Sequence, residues 1–326
     1  MALEKSPKIP IVMLSSGHTM PVVALGTFDY NFEPQTAKEA VIEAIKAGYR
    51  HFDTASVYGS EGAVGEAIAE AVQLGLIGSR TEVFITSKLW CTDNHPNRVL
   101  PAIRYSLKKL NMDYLDLYLM HWPMSAKPGP ASFPVKRDDV VPLDLEGVWE
   151  AMEECQRLGL TKTIGVSNFT TKKLEELLTF ANIPPAINQV EMNPGWQQQK
   201  LRRYCANKGI FITAYYPLGG QITLGNTNPV LTCDVLKEIA TAKGKTAAQI
   251  SLRWILEQDV GIVVKSFNIE RLRQNLEIFN WELSQEELLQ ISSNITQKKA
   301  ARVQFMLSNE GSLTSVNISE IDIIET

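Results

Sequence analysis

Four residues able to do acid–base chemistry on an oxygen occur in or just after short runs of β-forming residues. They are Asp53 in RHFDT, Tyr58 in ASVYGS, Lys88 in EVFITSKL and His121 in LDLYLMH. A tyrosine with its ordinary pKa near 10 is a poor acid–base group at neutral pH. A buried lysine beside it would stabilise the phenolate, and a carboxylate would hold that lysine in place. An imidazole reaching the same region could help polarise a carbonyl. The set suits protonation of an oxygen that gains negative charge as hydride reaches its carbon. Each residue also has an ordinary alternative: Asp53 as a helix cap, Lys88 as a solvated rim residue, Tyr58 as packing, His121 as a satisfied core histidine. Their joint placement is what favours chemistry.

A second group lies in KSFNIERLRQN, where Lys265 and Arg271 flank a loop-to-helix transition. Two cations and a helix N-terminus suit a phosphate monoester; the alternative is a surface salt-bridge pattern. No GxGxxG follows a strand, and Gly59, Gly62 and Gly65 in GSEGAVGEA have the wrong spacing. They read as loop and helix-packing glycines, which disfavours a doubly wound dinucleotide fold. Cys91, Cys155, Cys205 and Cys233 form no CxxC or Cys/His cluster, so neither a metal site nor a disulfide framework is expected.

The elements that must position these groups follow an alternating rhythm. Strands are expected at 22–27, 50–54, 82–89, 115–121, 163–168, 186–192, 211–217 and 261–267. Helices are expected at 36–47, 60–74, 98–110, 145–158, 171–180, 198–208, 234–243 and 270–278. The first buries Ala37, Ala40, Val41, Ala44 and Ile45 and stops at Gly48; the second buries Val64, Ala67, Ile68, Ala71 and Val72. IVML and MPVV flank SSGHT as an N-terminal β-hairpin, with Gly17 at its turn. Eight strands each followed by a helix make an α/β fold, a (β/α)8 TIM barrel, the simplest architecture, ahead of a doubly wound sheet. A single domain over 1–326 is expected, with the barrel at about 20–280 and a C-terminal helix and tail at 281–326. Two long intervals, 122–143 and 219–229, read as functional loops.

In such a barrel, chemistry sits at the C-terminal ends of the strands. Those ends carry Gly26 and Thr27, Asp53, Lys88, His121, Ser167 and Asn168, Gln189, Tyr215, and Lys265 with Ser266. Composition agrees with a small-molecule partner. The chain has 326 residues, 44% of them hydrophobic, and its net charge of −4 comes from interspersed charges. That argues against nucleic acid or an anionic membrane as a partner. No apolar run reaches the roughly 20 residues needed to cross a bilayer, and MALEKSPKIP lacks a signal core. A cytoplasmic protein is expected.

GYRHFDTASVYGSE, VFITSKLW, YLDLYLMHWP, TIGVSNF, INQVEMNP, ITAYYPLG and VVKSFNIERLRQN resemble segments of the aldo-keto reductase family, in the family's order, from about Ile11 to Ile291. The resemblance implies Tyr58 as general acid, Lys88 and Asp53 as the pair that tunes it, and His121 as the fourth member. It implies Ser167, Asn168 and Gln189 on a nicotinamide carboxamide, with Tyr215 stacked on the ring. It puts Lys265, Ser266 and Arg271 on the 2′-phosphate of NADPH (NADP+) and Gln274 and Asn275 near the adenine. Gly26, Thr27, Asp53, Pro217, Leu218, Phe267 and Asn268 complete the implied cofactor surface. Tyr216 and Val264 depart from the family's usual serine and proline, and Gln274 stands where many members have glutamate.

The wording of MPVVALGT, VWEAMEECQRLGLTKTIGVSNF and EIFNWELS is similar to the plant branch, which contains chalcone, codeinone and methylecgonone reductases and sugar-acid reductases. The expected function is NADPH-dependent reduction of a ketone or aldehyde to an alcohol. The expected substrate is a bulky carbonyl of plant specialised metabolism, either an alkaloid ketone or a polyketide intermediate, and the expected state is a monomer. Phe28, Trp90, Trp122 and Phe133 are expected to join Tyr58 and His121 in a substrate pocket, with Met124, Pro128, Trp196 and Met306 as further candidates. The tryptophans could instead pack beneath loops. Two other readings compete: a catalytically weak NADPH-binding regulatory subunit on the same barrel, and a metal-dependent barrel hydrolase. The hydrolase lacks its ligands, since His121 is the sole histidine at the C-terminal end of a strand.

Overall fold

The structure is a computed structural model that describes residues 9–29, 31, 33–220, 228–299 and 306–308. Eight parallel strands close into a barrel: β1 (Val23–Gly26), β2 (His51–Asp53), β3 (Phe84–Leu89), β4 (Leu115–Met120), β5 (Thr161–Ser167), β6 (Ile187–Glu191), β7 (Phe211–Tyr215) and β8 (Gly261–Val264). Each strand pairs with its sequence neighbour, and β8 closes on β1 through Ile262 opposite Val23. The strands are buried almost throughout, whether their residues are apolar or polar, because helices cover their outer faces.

Those helices are α1 (Pro34–Ala47), α2 (Glu61–Gln73), α3 (Val99–Leu110), α4 (Leu145–Arg157), α5 (Thr171–Leu178), α6 (Gln199–Asn207), α7 (Asp234–Lys243), α8 (Ala247–Leu256), α9 (Ile269–Gln274) and α10 (Gln285–Asn294). Helix α1 ends at Gly48, whose left-handed φ of 111° lets its N–H reach the carbonyls of Ala44 and Ile45. Gly65 is a packing glycine, as expected: a Cβ there would lie 2.2 Å from the Leu110 carbonyl oxygen, so α2 can cross the end of α3 only without one. The apolar stripe of α2 stops one residue earlier than its periodicity suggests, since Val72 is exposed. The expected helix list omits α8, although Thr246 and Gln249 form a reciprocal capping box at its start. That box was the available signal.

The hairpin pairs Ile11–Met13 with Thr19–Pro21 and closes the N-terminal end of the barrel. Leu14 and Met20 plug that floor against Phe84, Leu117, Leu119, Ala186 and Ile187. The 122–143 interval is ordered by two short antiparallel strands, Ser125–Ala126 and Val140–Val141. A separate apolar cluster over the mouth joins Trp90, Trp122, Met124, Val135 and Val140 to Met306 and Leu307 from the tail. Val135 and Met306–Ser308 exchange backbone hydrogen bonds of 2.8 Å, which bind the tail to this loop. Of the 219–229 interval and the 281–326 tail, residues 221–227, 300–305 and 309–326 lie outside the described residues. No described helix is long and apolar enough to cross a membrane.

Candidate active site

The barrel brings the four acid–base residues together. Asp53 ends β2, Lys88 lies in β3, and His121 directly follows β4. Tyr58 closes a 3-10 turn (Ser56–Tyr58) that Gly59 terminates with a φ of 72°. Ser56 ties that turn to the barrel by donating its Oγ hydrogen to the Lys88 carbonyl at 3.0 Å.

Lys88 is 0% exposed. Its Nζ donates to Asp53 Oδ1 at 2.5 Å and to the Thr54 carbonyl at 3.0 Å. Gln189 Nε2 donates to Asp53 Oδ2 at 2.8 Å, so both carboxylate oxygens are engaged. A buried ion pair is tolerated only when the remaining polar capacity is met in this way. The ammonium stands 4.9 Å from the centre of the Tyr58 ring. The Tyr58 hydroxyl lies 3.2 Å from His121 Nε2. Phe28 and Trp90 brace the two rings, Phe28 at 5.0 Å from Tyr58 and Trp90 at 5.2 Å from His121.

The electrostatics differ from the expectation of an acidified phenol. Burial, then the charge of Asp53 and the neighbouring Tyr216, hold Tyr58 well above its ordinary value. Burial also lowers Lys88, against the pull of Asp53. It keeps His121 well below the usual histidine range, with the Lys88 charge adding to the effect. The resting site is therefore a neutral phenol and a neutral imidazole beside a neutralised ion pair. Lys88 did not acidify the phenol because desolvation in a closed barrel outweighs one cation that is itself paired.

Asp53, Tyr58 and His121 edge a cavity of about 690 Å³ at the mouth. At its floor, Ser167 Oγ donates to the Gln189 carbonyl at 2.8 Å and Asn168 Nδ2 donates to the His121 carbonyl at 3.0 Å. The Tyr215 hydroxyl donates to Asn168 Oδ1 at 2.6 Å. Thr27 donates to the Asp53 carbonyl at 3.0 Å. Along one side run Gly26, Pro217, Leu218, Lys265, Ser266, Phe267, Asn268 and Arg271. On the other stand Phe28, Trp90, Trp122 and Phe133; the tryptophans both face the cavity and pack in the loop cluster.

Lys88, Gln274 and Asn275 do not line the cavity. Lys88 sits behind the wall; Asn275 is buried beside the Tyr49 hydroxyl, and Gln274 donates to Glu270 at 3.1 Å. Of the further candidates, Met306 lines the cavity while Met124, Pro128 and Trp196 do not. The lining residues Asp29, Val57, Gly220, Asn228, Leu231 and Val263 were missed, and Tyr216 was noted only as a departure from the family's pattern. Asp29 lies only two positions past Thr27, so extending the rim past the strand end would have found it. Tyr216 adopts a left-handed φ of 49°, sets its ring edge-on to Tyr215 at 5.3 Å, and covers Gly220. Tyr216, standing where the family usually has serine, thus adds an aromatic wall to the cavity beside Tyr215.

A phenol, an imidazole and a buried lysine–aspartate pair at the mouth of this barrel define a carbonyl-directed oxidoreductase. The chain belongs to the Aldo/keto reductase family, whose model matches residues 22–295. Among curated proteins it is similar to the 7-acetyl-epi-neemfruitin B aldo-keto reductase of Melia azedarach, 55% identical over 310 residues covering 95% of this chain and 96% of that one. It is 56% identical over 297 residues to the D-galacturonate reductase of Fragaria ananassa, covering 90% and 93% respectively. The solved aldo-keto reductase of Bombyx mori in complex with NADP superposes with a TM-score of 0.83 at 36% identity, over 91% of this chain and 96% of that one.

Proposed function

We propose that this protein reduces a bulky, mostly apolar ketone or aldehyde to its alcohol with NADPH, in plant specialised metabolism. The single observation that carries the reading is the Tyr58 hydroxyl 3.2 Å from His121 Nε2, on a cavity whose other side presents Lys265 and Arg271. The donor set fits a nicotinamide nucleotide. Ser167, Asn168 and Gln189 offer hydroxyl and amide groups at the floor, Tyr215 offers a ring face, and Lys265, Ser266 and Arg271 would take a 2′-phosphate. A bound nicotinamide would supply the hydride.

Tyr58 supplies the proton. Held well above its ordinary pKa, the phenol keeps its hydrogen until an oxygen develops negative charge. His121, held neutral, shares the hydrogen-bonding of that oxygen through Nε2. As the proton leaves, the Lys88 ammonium offsets the charge growing on the phenol oxygen, while Asp53 and Gln189 fix the ammonium. Donors placed this way each contribute about 3–4 kcal/mol to the transition state.

Substrate class follows from the walls. Among the described residues, the cationic side chains lining the cavity are Lys265 and Arg271, both on the proposed cofactor side. Around Tyr58 and His121 the walls are Phe28, Val57, Trp90, Trp122, Phe133 and Met306, which suit an apolar guest such as an alkaloid ketone or polyketide intermediate better than a uronate. The test is initial-rate loss of NADPH or NADH absorbance with alkaloid ketones, polyketides, uronates and 4-nitrobenzaldehyde. The reading predicts highest kcat/KM with NADPH and a bulky ketone. Preference for NADH contradicts the role of Lys265 and Arg271, and preference for a uronate contradicts the substrate class.

A further inference from the structure

Lys265, the cation assigned above to a 2′-phosphate, is already engaged. Its Nζ forms a close ion pair with Asp29 Oδ2. Asp29 follows β1 and Lys265 follows β8, strands that are hydrogen-bonded neighbours, and both residues line the cavity. The carboxylate is held in place, because its other oxygen accepts the Asn31 N–H at 3.0 Å. Lys265 is further oriented over the Phe267 ring, 4.3 Å from its centre. Arg271 makes no ion pair among the described residues.

We propose that Asp29 is a specificity-determining residue, an internal anion that competes with the 2′-phosphate for Lys265 and so moderates the preference for phosphorylated over unphosphorylated adenine nucleotides. The inference rests on the reading of Lys265 given under the proposed function. A phosphate arriving at Lys265 must displace a carboxylate or share the cation with it at the expense of like-charge repulsion. A nucleotide with a free 2′-hydroxyl leaves the pair undisturbed. Because the pair is partly exposed, 40% and 22% at its two side chains, water screens it and the effect is a several-fold adjustment, not a switch.

Calorimetric titration of the full-length protein with adenosine 2′,5′-bisphosphate and with adenosine 5′-monophosphate tests this. Asp29→Asn preserves the acceptor for the Asn31 N–H and removes the charge. It should tighten the bisphosphate by about three- to fivefold, the range an exposed ion pair supports, and leave the monophosphate unchanged. Asp29→Ala should act alike. In a Lys265→Met background the same substitution should tighten the bisphosphate by less than in wild type, because the contested cation is gone. If wild type binds the bisphosphate more tightly than the monophosphate but Asp29→Asn weakens it or leaves it unaltered, competition is refuted and the phosphate site stands. If wild type binds both nucleotides equally, the phosphate reading falls and the inference falls with it.

Discussion

The two ends of the barrel each hold a buried carboxylate bound to cations, yet only one end has the makings of a reaction site. At the closed end, Asp116 accepts from Arg80 at 2.8 Å, from the Ile85 N–H at 2.9 Å and from Lys162 at 3.1 Å. Arg80 and Lys162 retain solvent contact and lie over the Tyr114 ring, 4.6 and 4.2 Å from its centre. At the open end, Asp53 is bound to a lysine with no solvent contact, and a phenol and an imidazole stand beside the pair on a cavity. A buried carboxylate is therefore no sign of chemistry. What distinguishes the mouth is a fully desolvated cation next to groups whose protons can reach a guest. At the closed end, Leu14 and Met20 fill the barrel's interior with apolar side chains.

The contrast breaks most sharply at Lys88. Lys88→Met strands the Asp53 charge in the interior and should destabilise the fold by about 3–5 kcal/mol in denaturant titration while abolishing turnover. Asp116→Asn should cost about 1–3 kcal/mol of stability and leave kcat within twofold of wild type. Equal loss of turnover in the two variants would erase the distinction between the ends. Phe133→Ala removes apolar wall without touching the proton donor. KM for a bulky ketone should rise by about five- to tenfold with kcat nearly unchanged.

A further effect is shared by the two ends. His51 at the floor and His121 at the mouth are both held below the ordinary histidine value, burial being the largest cause in each. Below about pH 6.5 the unfolded chain takes up protons that these native imidazoles refuse, so stability falls as pH falls, by up to about 1.4 kcal/mol per unit for each group. Melting temperatures between pH 5 and 7.5 should show the loss, and His51→Gln should reduce it. A flat profile would contradict the two neutral histidines.

Much of this was legible in the sequence because a barrel turns one-dimensional order into a ring. Once Asp53, Lys88, His121, Asn168, Gln189 and Tyr215 fall in or just after the C-terminal parts of their strands, closure brings them to one end of the barrel whatever the details of the helices. Helix α8 escaped because it follows α7 with no strand between, which the alternating rhythm does not anticipate. Asp29, Val57 and Leu231 escaped because they enter from loops, whose paths no periodicity encodes. The pKa of Tyr58 could not be read either. Residue types show that a lysine is near, but the balance between its charge and the loss of water depends on how tightly the mouth is packed.

The central claim is that Tyr58 holds its proton until hydride transfer demands it, and the most direct test is single-turnover oxidation of bound NADPH by Tyr58→Phe, with the NADPH Kd measured on the same protein. The account predicts a rate lower by about two to three orders of magnitude with Kd unchanged within twofold. A single-turnover rate near that of wild type would contradict it.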